Sequence, residues 1–175
     1  MKHLAVLSDL VGLRRKRKGA PLTQSGDGRA RGRQGRPFVN TYVAIGSVAW
    51  DVVEGDPTER LGGSVLFACR AAVAAGWDAQ LHTSGTERLE RALRAELPDV
   101  AITVDRSTHD TVMAFSCDAE LGPQAVPTVS DPIDPAKIPT DVDVVHLAPI
   151  MGEITPALMA QVVGAPFVGL TPQGL

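Results

Sequence analysis

Aromatic residues are scarce in this chain, at 4% of its 175 residues. A core without many rings has to come from Val, Leu, Ile and Ala, which suit strands and the helices that cover them. Cysteine is scarcer still. Cys69 and Cys117 stand 48 positions apart, which is neither a disulfide framework nor zinc-ligand spacing. Reduced, buried thiols in a cytoplasmic protein are the expectation. No uninterrupted apolar run approaches the roughly 18 residues that cross a bilayer, so no membrane partner is expected. In the opening "MKHLAVLSDLVGLRRKRKGA" the larger positive block follows the apolar segment, and Asp9 interrupts it. A secretory leader has the opposite order. His3, His82, His109 and His146 are scattered, and no metal site is expected. A G-x-x-x-x-G-K-[ST] P-loop, a G-x-G-x-x-G dinucleotide turn and a G-x-S-x-G elbow are all missing. The commonest nucleotide and hydrolase readings go with them.

Charge is unevenly placed. The net value of −3 combines +8 over residues 1–36 with −11 over residues 37–175. The first segment includes "GDGRARGRQGR", nearly free of apolar groups. Such a stretch cannot bury enough surface to offset the entropy of ordering, so residues 1–38 are expected to be a disordered basic tail and residues 39–175 the folded domain. "RRKRK", Arg14 to Lys18, could attract nucleic acid or an anionic membrane by counterion release, or could be a solvated tail or upstream sequence included by a wrongly chosen start codon. No aromatics are interleaved with it and the body is acidic, which disfavours a nucleic-acid partner.

The body alternates between strand and helix signals. "YVAIG" from Tyr42 is a buried-strand candidate. Ser64 to Ala75 reads as a helix, with Ser64 as N-cap and Gly76 as stop. "AQLHTS" is a second strand. Leu89, Leu93 and Leu97 mark a helix over 87–97 that Pro98 ends. "VAITVD" and "TVMAFSCD" read as an antiparallel hairpin, and residues 122–139, with five prolines, as an ordered loop. "DVVHLA" is a strand, Thr155 and Pro156 open a helix to about Val162, and "PFVGL" is the last strand. This order argues for a mostly parallel sheet covered by helices.

In such sheets ligands bind beyond the carboxyl ends of the strands. Asp51 is placed just past the end of the first strand, where a carboxylate could accept hydrogen bonds from two neighbouring hydroxyls. Gly62 and Gly63, in "LGGSVLFACRAAVAAG", then open a helix. Lacking Cβ atoms, they either let the backbone approach a polyhydroxylated or anionic ligand at the helix start, or they simply make a tight, closely packed turn.

"GSVAWDVVEG", "LGGSVLFACRAAVAAG", "DVVHLAPI" and "VGLTPQG" resemble the N-terminal half of PfkB/ribokinase-type carbohydrate kinases, over Tyr42 to Leu175. The resemblance implies a three-layer αβα ribokinase-like fold, incomplete here, with a small β lid to which the strands near Ala101–Asp105 and Thr111–Cys117 would belong. It implies phosphoryl transfer from ATP, with Mg²⁺, to a hydroxyl of a sugar or nucleoside-like small molecule. Asp51, Gly62 and Gly63 match the family's sugar-binding Asp and glycine pair. Where the family has a substrate-binding Asn in the following helix, this chain has Phe67, which can only cover an apolar sugar face. The family's Gly-Asp-x-x-Gly segment is replaced by "TSGTERLE".

The family's catalytic Asp lies in a Gly-Ala-Gly-Asp motif near the C-terminus, beside the ATP site, and that motif is absent from this sequence. The expectation is a truncated member with no catalytic residue of its own, binding neither ATP nor Mg²⁺ and inactive alone. The alternative is a non-catalytic ligand- or partner-binding remnant. A sheet cut at "FVGL" would present an open apolar edge, so association through that edge is expected.

Overall fold

The computed structural model describes residues 40–116 and 124–172, all within the compact unit Arg36–Leu175. The basic segment 1–38 and Cys117 lie outside the described residues. Five parallel strands make the main sheet: β1 (Thr41–Ile45), β4 (Asp78–Gly85), β5 (Ala101–Arg106), β8 (Val144–Leu147) and β9 (Val168–Leu170). Their spatial order is β5-β4-β1-β8-β9. A second sheet holds β2 (Ala49–Val53), β3 (Asp56–Gly62), β6 (Thr111–Phe115) and β7 (Gln124–Thr128) in the order β3-β2-β6-β7. Three helices complete the described elements: α1 (Ser64–Ala74), α2 (Glu87–Glu96) and α3 (Pro156–Val162), with a 3₁₀ turn at Pro135–Lys137.

Strand alternation makes the three layers. Tyr42, Ala44, Ala79 and Leu81 pack with Leu66, Cys69, Leu89 and Leu93 of α1 and α2 on one face. Val43, Ile45, Val145 and Leu147 pack with Ile133, Ile138, Leu158 and Val162 on the other. Burying each such Leu or Ile contributes roughly 1.5–3 kcal/mol. The expected αβα core is present. On the outer side of α2, Glu90 and Arg94 pair at 2.8 Å, while Leu89 and Leu93 are fully buried. Thr155 caps α3 by accepting from the backbone N–H of Leu158.

Several local expectations are corrected. Asp51 does not trail the first strand; it sits inside β2, in the lid sheet. The segments 101–105 and 111–117 are not a hairpin. β5 pairs parallel with β4 in the main sheet, and β6 pairs parallel with β2 in the lid. The polar turn between them carries the chain from one sheet to the other. Part of 122–139 is a strand, β7, antiparallel to β6. Ser64 is the first helical residue of α1 and the N-cap is Gly63, at φ +101°. β3 had no sequence signal: Pro57, Glu59 and Arg60 are poor strand formers, tolerated because β3 is the exposed edge of its sheet.

β9 is the end strand of the main sheet, and Val168 and Leu170 on it are exposed. Both align with β8 residues on the α3 side, Val145 and Leu147.

His146 lies between β1 and the segment after β9. Its ring nitrogens meet the Tyr42 hydroxyl at 2.6 Å and Thr171 Oγ1 at 2.7 Å. Burial holds its pKa below the usual histidine value, and burial does the same to His82, against the opposing pull of the Asp105 carboxylate. With folded values below the unfolded one, the unfolded chain binds more protons as pH falls below about 6.5. Stability is therefore full above that pH and declines beneath it. Urea midpoints at pH 7.5 and 5.5 should differ in that sense, and His146→Gln should shrink the difference. An unchanged midpoint in the native chain would contradict the assignment.

Candidate functional site

β1 is the centre of the main sheet, with β4 on one side and β8 on the other. The chain leaves its carboxyl end for the lid, so the lid root lies where open α/β sheets place ligands. Two side chains fasten this root. Thr83 Oγ1 accepts from the Val48 N–H at 3.2 Å. Glu153 has no exposed surface. Its Oε1 accepts from the N–H groups of Ser47 at 2.9 Å and Ile150 at 2.6 Å, and Oε2 from Met151 at 2.8 Å. One carboxylate thus ties the loop after β1 to the loop after β8.

β2 crosses the lid between β3 and β6, and its residues face alternate sides. Trp50 joins the core on the α1 and α2 side. Asp51 points the other way, on the face that carries Ala49 and Met113, which cluster with Ile150. This apolar setting raises the Asp51 pKa above the ordinary carboxylate value, through burial. Its Oδ1 is buried and has no hydrogen-bond donor. A buried acceptor left without a donor costs about 1–3 kcal/mol.

The structure brings Asp51 and Gly62 together. A methyl on Gly62 would fall 2.5 Å from the Asp51 Cγ and 2.7 Å from Oδ1. The β2–β3 hairpin makes this contact, with Ala49 opposite Gly62 and Asp51 opposite Arg60. Gly63 has a different task. At φ +101° its missing Cβ would lie 2.8 Å from the Ser47 carbonyl oxygen, so it is needed for the backbone to turn and pack. Phe67 is 56% exposed on α1, and the Arg70 guanidinium lies 5.8 Å from its ring centroid; no described contact joins it to Asp51.

The sequence reading missed Glu153, which looks like an ordinary turn glutamate, and Asp110, whose carboxylate accepts from Trp50 and Thr86. A cavity of about 230 Å³ near Pro139, Val145 and Ala165 lies toward the amino end of β8 and is lined by no titratable side chain. Among the described residues no cluster of three or more His, Cys, Asp or Glu could hold a metal ion. No helix among them is long and apolar enough to cross a membrane.

No family model matches the chain, and no curated protein matches it. Solved structures do. A pyrophosphate-dependent kinase of the ribokinase family, in a sulfate complex, is 22% identical with a TM-score of 0.61, covering 76% of this chain and 50% of that one. A pyrophosphate-dependent kinase of the same family, complexed with a pyrophosphate analogue and myo-inositol, is 20% identical with a TM-score of 0.60, over 74% and 48%. The 2-dehydro-3-deoxygluconokinase of Thermotoga maritima is 16% identical with a TM-score of 0.56, over 77% and 52%. The chain spans about half the length of these structures. What it shares with them is the fold: the described residues form a parallel α/β sheet and a small second sheet arranged as in about half of these ribokinase-like structures.

Proposed function

We propose that this chain supplies the acceptor-binding part of a ribokinase-type phosphotransferase, holding a neutral polyol or sugar by its hydroxyls. The observation that carries the reading is the Asp51 carboxylate, with one buried oxygen lacking a donor, set against the bare Cα of Gly62. The carboxylate there accepts from hydroxyls of the acceptor at its other oxygen, Oδ2, which is not buried. Gly62 leaves room for the carboxylate. Gly63 sets the turn into α1, and the exposed Phe67 offers an apolar face to the ring carbons of the acceptor.

In the reaction class, a phosphoanhydride donor, ATP or pyrophosphate, passes a phosphoryl group to an acceptor hydroxyl, and catalysis is mostly positioning and charge neutralisation. The residues described here do the first half of that work: they select and orient the acceptor. On this reading the chain binds without turnover until donor-binding residues are provided. A cytoplasmic setting goes with it; the buried Cys69 thiol, its pKa pushed up to about 12 by burial, stays protonated and inert there.

Calorimetry with myo-inositol, ribose and 2-dehydro-3-deoxygluconate tests the reading. Binding of a neutral polyol by the native chain, lost in Asp51→Asn, is the expected result. Equal binding by Asp51→Asn would overturn it. The same variant should melt higher at pH 7, by about 1 kcal/mol, because it removes a poorly solvated charge that is only partly shielded from water.

The exposed β9 edge gives a further expectation. Among the described residues nothing pairs with its outer side, and its exposed Val168 and Leu170 favour pairing with another chain. Sedimentation at tens of micromolar should show association, reduced by Val168→Lys. A monomer that melts cooperatively would count against this.

A further inference from the structure

We infer that Asp110 and Arg88 are positioning residues: they latch the lid sheet to the start of α2 through Trp50, and so hold Asp51 in place. The inference rests on the reading of Asp51 as a hydroxyl acceptor. The latch has two arms. Asp110, directly before β6, accepts from the Trp50 indole N–H through Oδ2 at 2.9 Å. The same carboxylate accepts from the Thr86 backbone N–H at 2.6 Å and the Thr86 hydroxyl at 3.0 Å. The Thr86 side chain is thereby engaged by the lid root, and makes no capping bond to its own helix.

The second arm is Arg88, two residues further along. Its guanidinium lies 4.1 Å from the centroid of the Trp50 ring and pairs with Glu59 of β3. A cation over an indole face is attracted by the ring quadrupole. Trp50 is thus held at its edge by one charged group and on its face by another, and is 8% exposed.

Trp50 and Asp51 are consecutive on β2, on opposite faces of the lid. A backbone shift that frees the indole also moves the carboxylate. Glu59 adds a tie on β3, three residues before Gly62, so both strands that meet at the Asp51–Gly62 contact are anchored to α2. Misplacement of a binding group by about an ångström can cost large factors in affinity or rate. The latch therefore keeps the acceptor site set before the acceptor arrives.

The test uses the full chain carrying Trp77→Phe, which leaves Trp50 as the only indole and preserves an aromatic ring near Tyr42. Asp110→Ala should raise acrylamide quenching of Trp50 about threefold and speed amide exchange in β2 and β3 with β1 unchanged. It should also weaken myo-inositol binding about tenfold, measured well below the melting temperature, where a purely structural loss would leave the affinity of folded molecules alone. Asp110→Asn, which keeps an acceptor oxygen, should recover part of both effects. Arg88→Met, an exposed replacement that does not threaten folding, should show the same changes to a smaller degree. Unchanged quenching in Asp110→Ala and Arg88→Met, or increased quenching with full affinity, would overturn the latch. If the unaltered chain does not bind myo-inositol, the acceptor reading fails, and the latch is decided by quenching and exchange alone.

Discussion

Glu153→Ala should lower the unfolding free energy by about 3–5 kcal/mol, a large part of the 5–15 kcal/mol that holds a typical domain. Glu153 is fully buried, and its two oxygens take the N–H groups of Ser47, Ile150 and Met151. Alanine leaves three backbone donors with no acceptor, each costing on the order of 1 kcal/mol or more, besides the packing lost. Glu153→Gln should fall between: its amide oxygen still accepts, while its NH₂ group faces a backbone donor. Urea denaturation of the three proteins reads the order directly. A loss below about 1 kcal/mol in Glu153→Ala would mean that the two loops hold together without the carboxylate.

The adjacent glycines should separate binding from folding. In Gly62→Ala the atoms nearest the new methyl are those of the Asp51 side chain, with Cγ at 2.5 Å. A side chain can rotate away, so stability should change by less than about 1 kcal/mol. The carboxylate is then out of place, and polyol affinity should fall at least about a hundredfold. Gly63→Ala should do the reverse damage. Its φ of +101° suits no L side chain, and its Cβ would lie 2.8 Å from the Ser47 carbonyl oxygen, which cannot rotate away. A loss of about 2–4 kcal/mol is expected from strain and clash together. Calorimetry and denaturation on both variants check the pair. A Gly62→Ala protein that binds polyol normally would remove Gly62 from the site.

Much of the main sheet was legible because its signals are local. The four-residue spacing of Leu89, Leu93 and Leu97 defines α2, and Thr155-Pro156 starts α3 where a cap and a proline should. The resemblance to sugar kinases pointed to Asp51 and the glycine pair, and the hairpin does bring Asp51 against Gly62. The strand that carries Asp51 was misplaced because "VAIGSVAWDVV" reads as one apolar run, whereas Gly46 and Ser47 divide it between two sheets.

The remaining misreadings share a cause: non-local pairing outweighed local pattern. The runs at 101–106 and 111–115 look like a hairpin because only a short polar turn separates them, yet each finds a parallel partner elsewhere, β4 and β2. β3 exists because β2 offers it an edge, not because its residues favour strands. Glu153 and Asp110 could not be found by spacing, since their partners are backbone N–H groups and an indole brought near only by the fold.

The central claim, that Asp51 receives the hydroxyls of a polyol, is tested most directly by carbon NMR of the aspartate carboxyls during a pH titration. Without ligand, the Asp51 resonance should titrate above the ordinary carboxylate range, because burial disfavours its charge. With saturating myo-inositol the midpoint should drop, as hydroxyl donors stabilise the ionised form, and the drop should vanish in Gly62→Ala. A raised midpoint that stays where it is under saturating polyol would contradict the account.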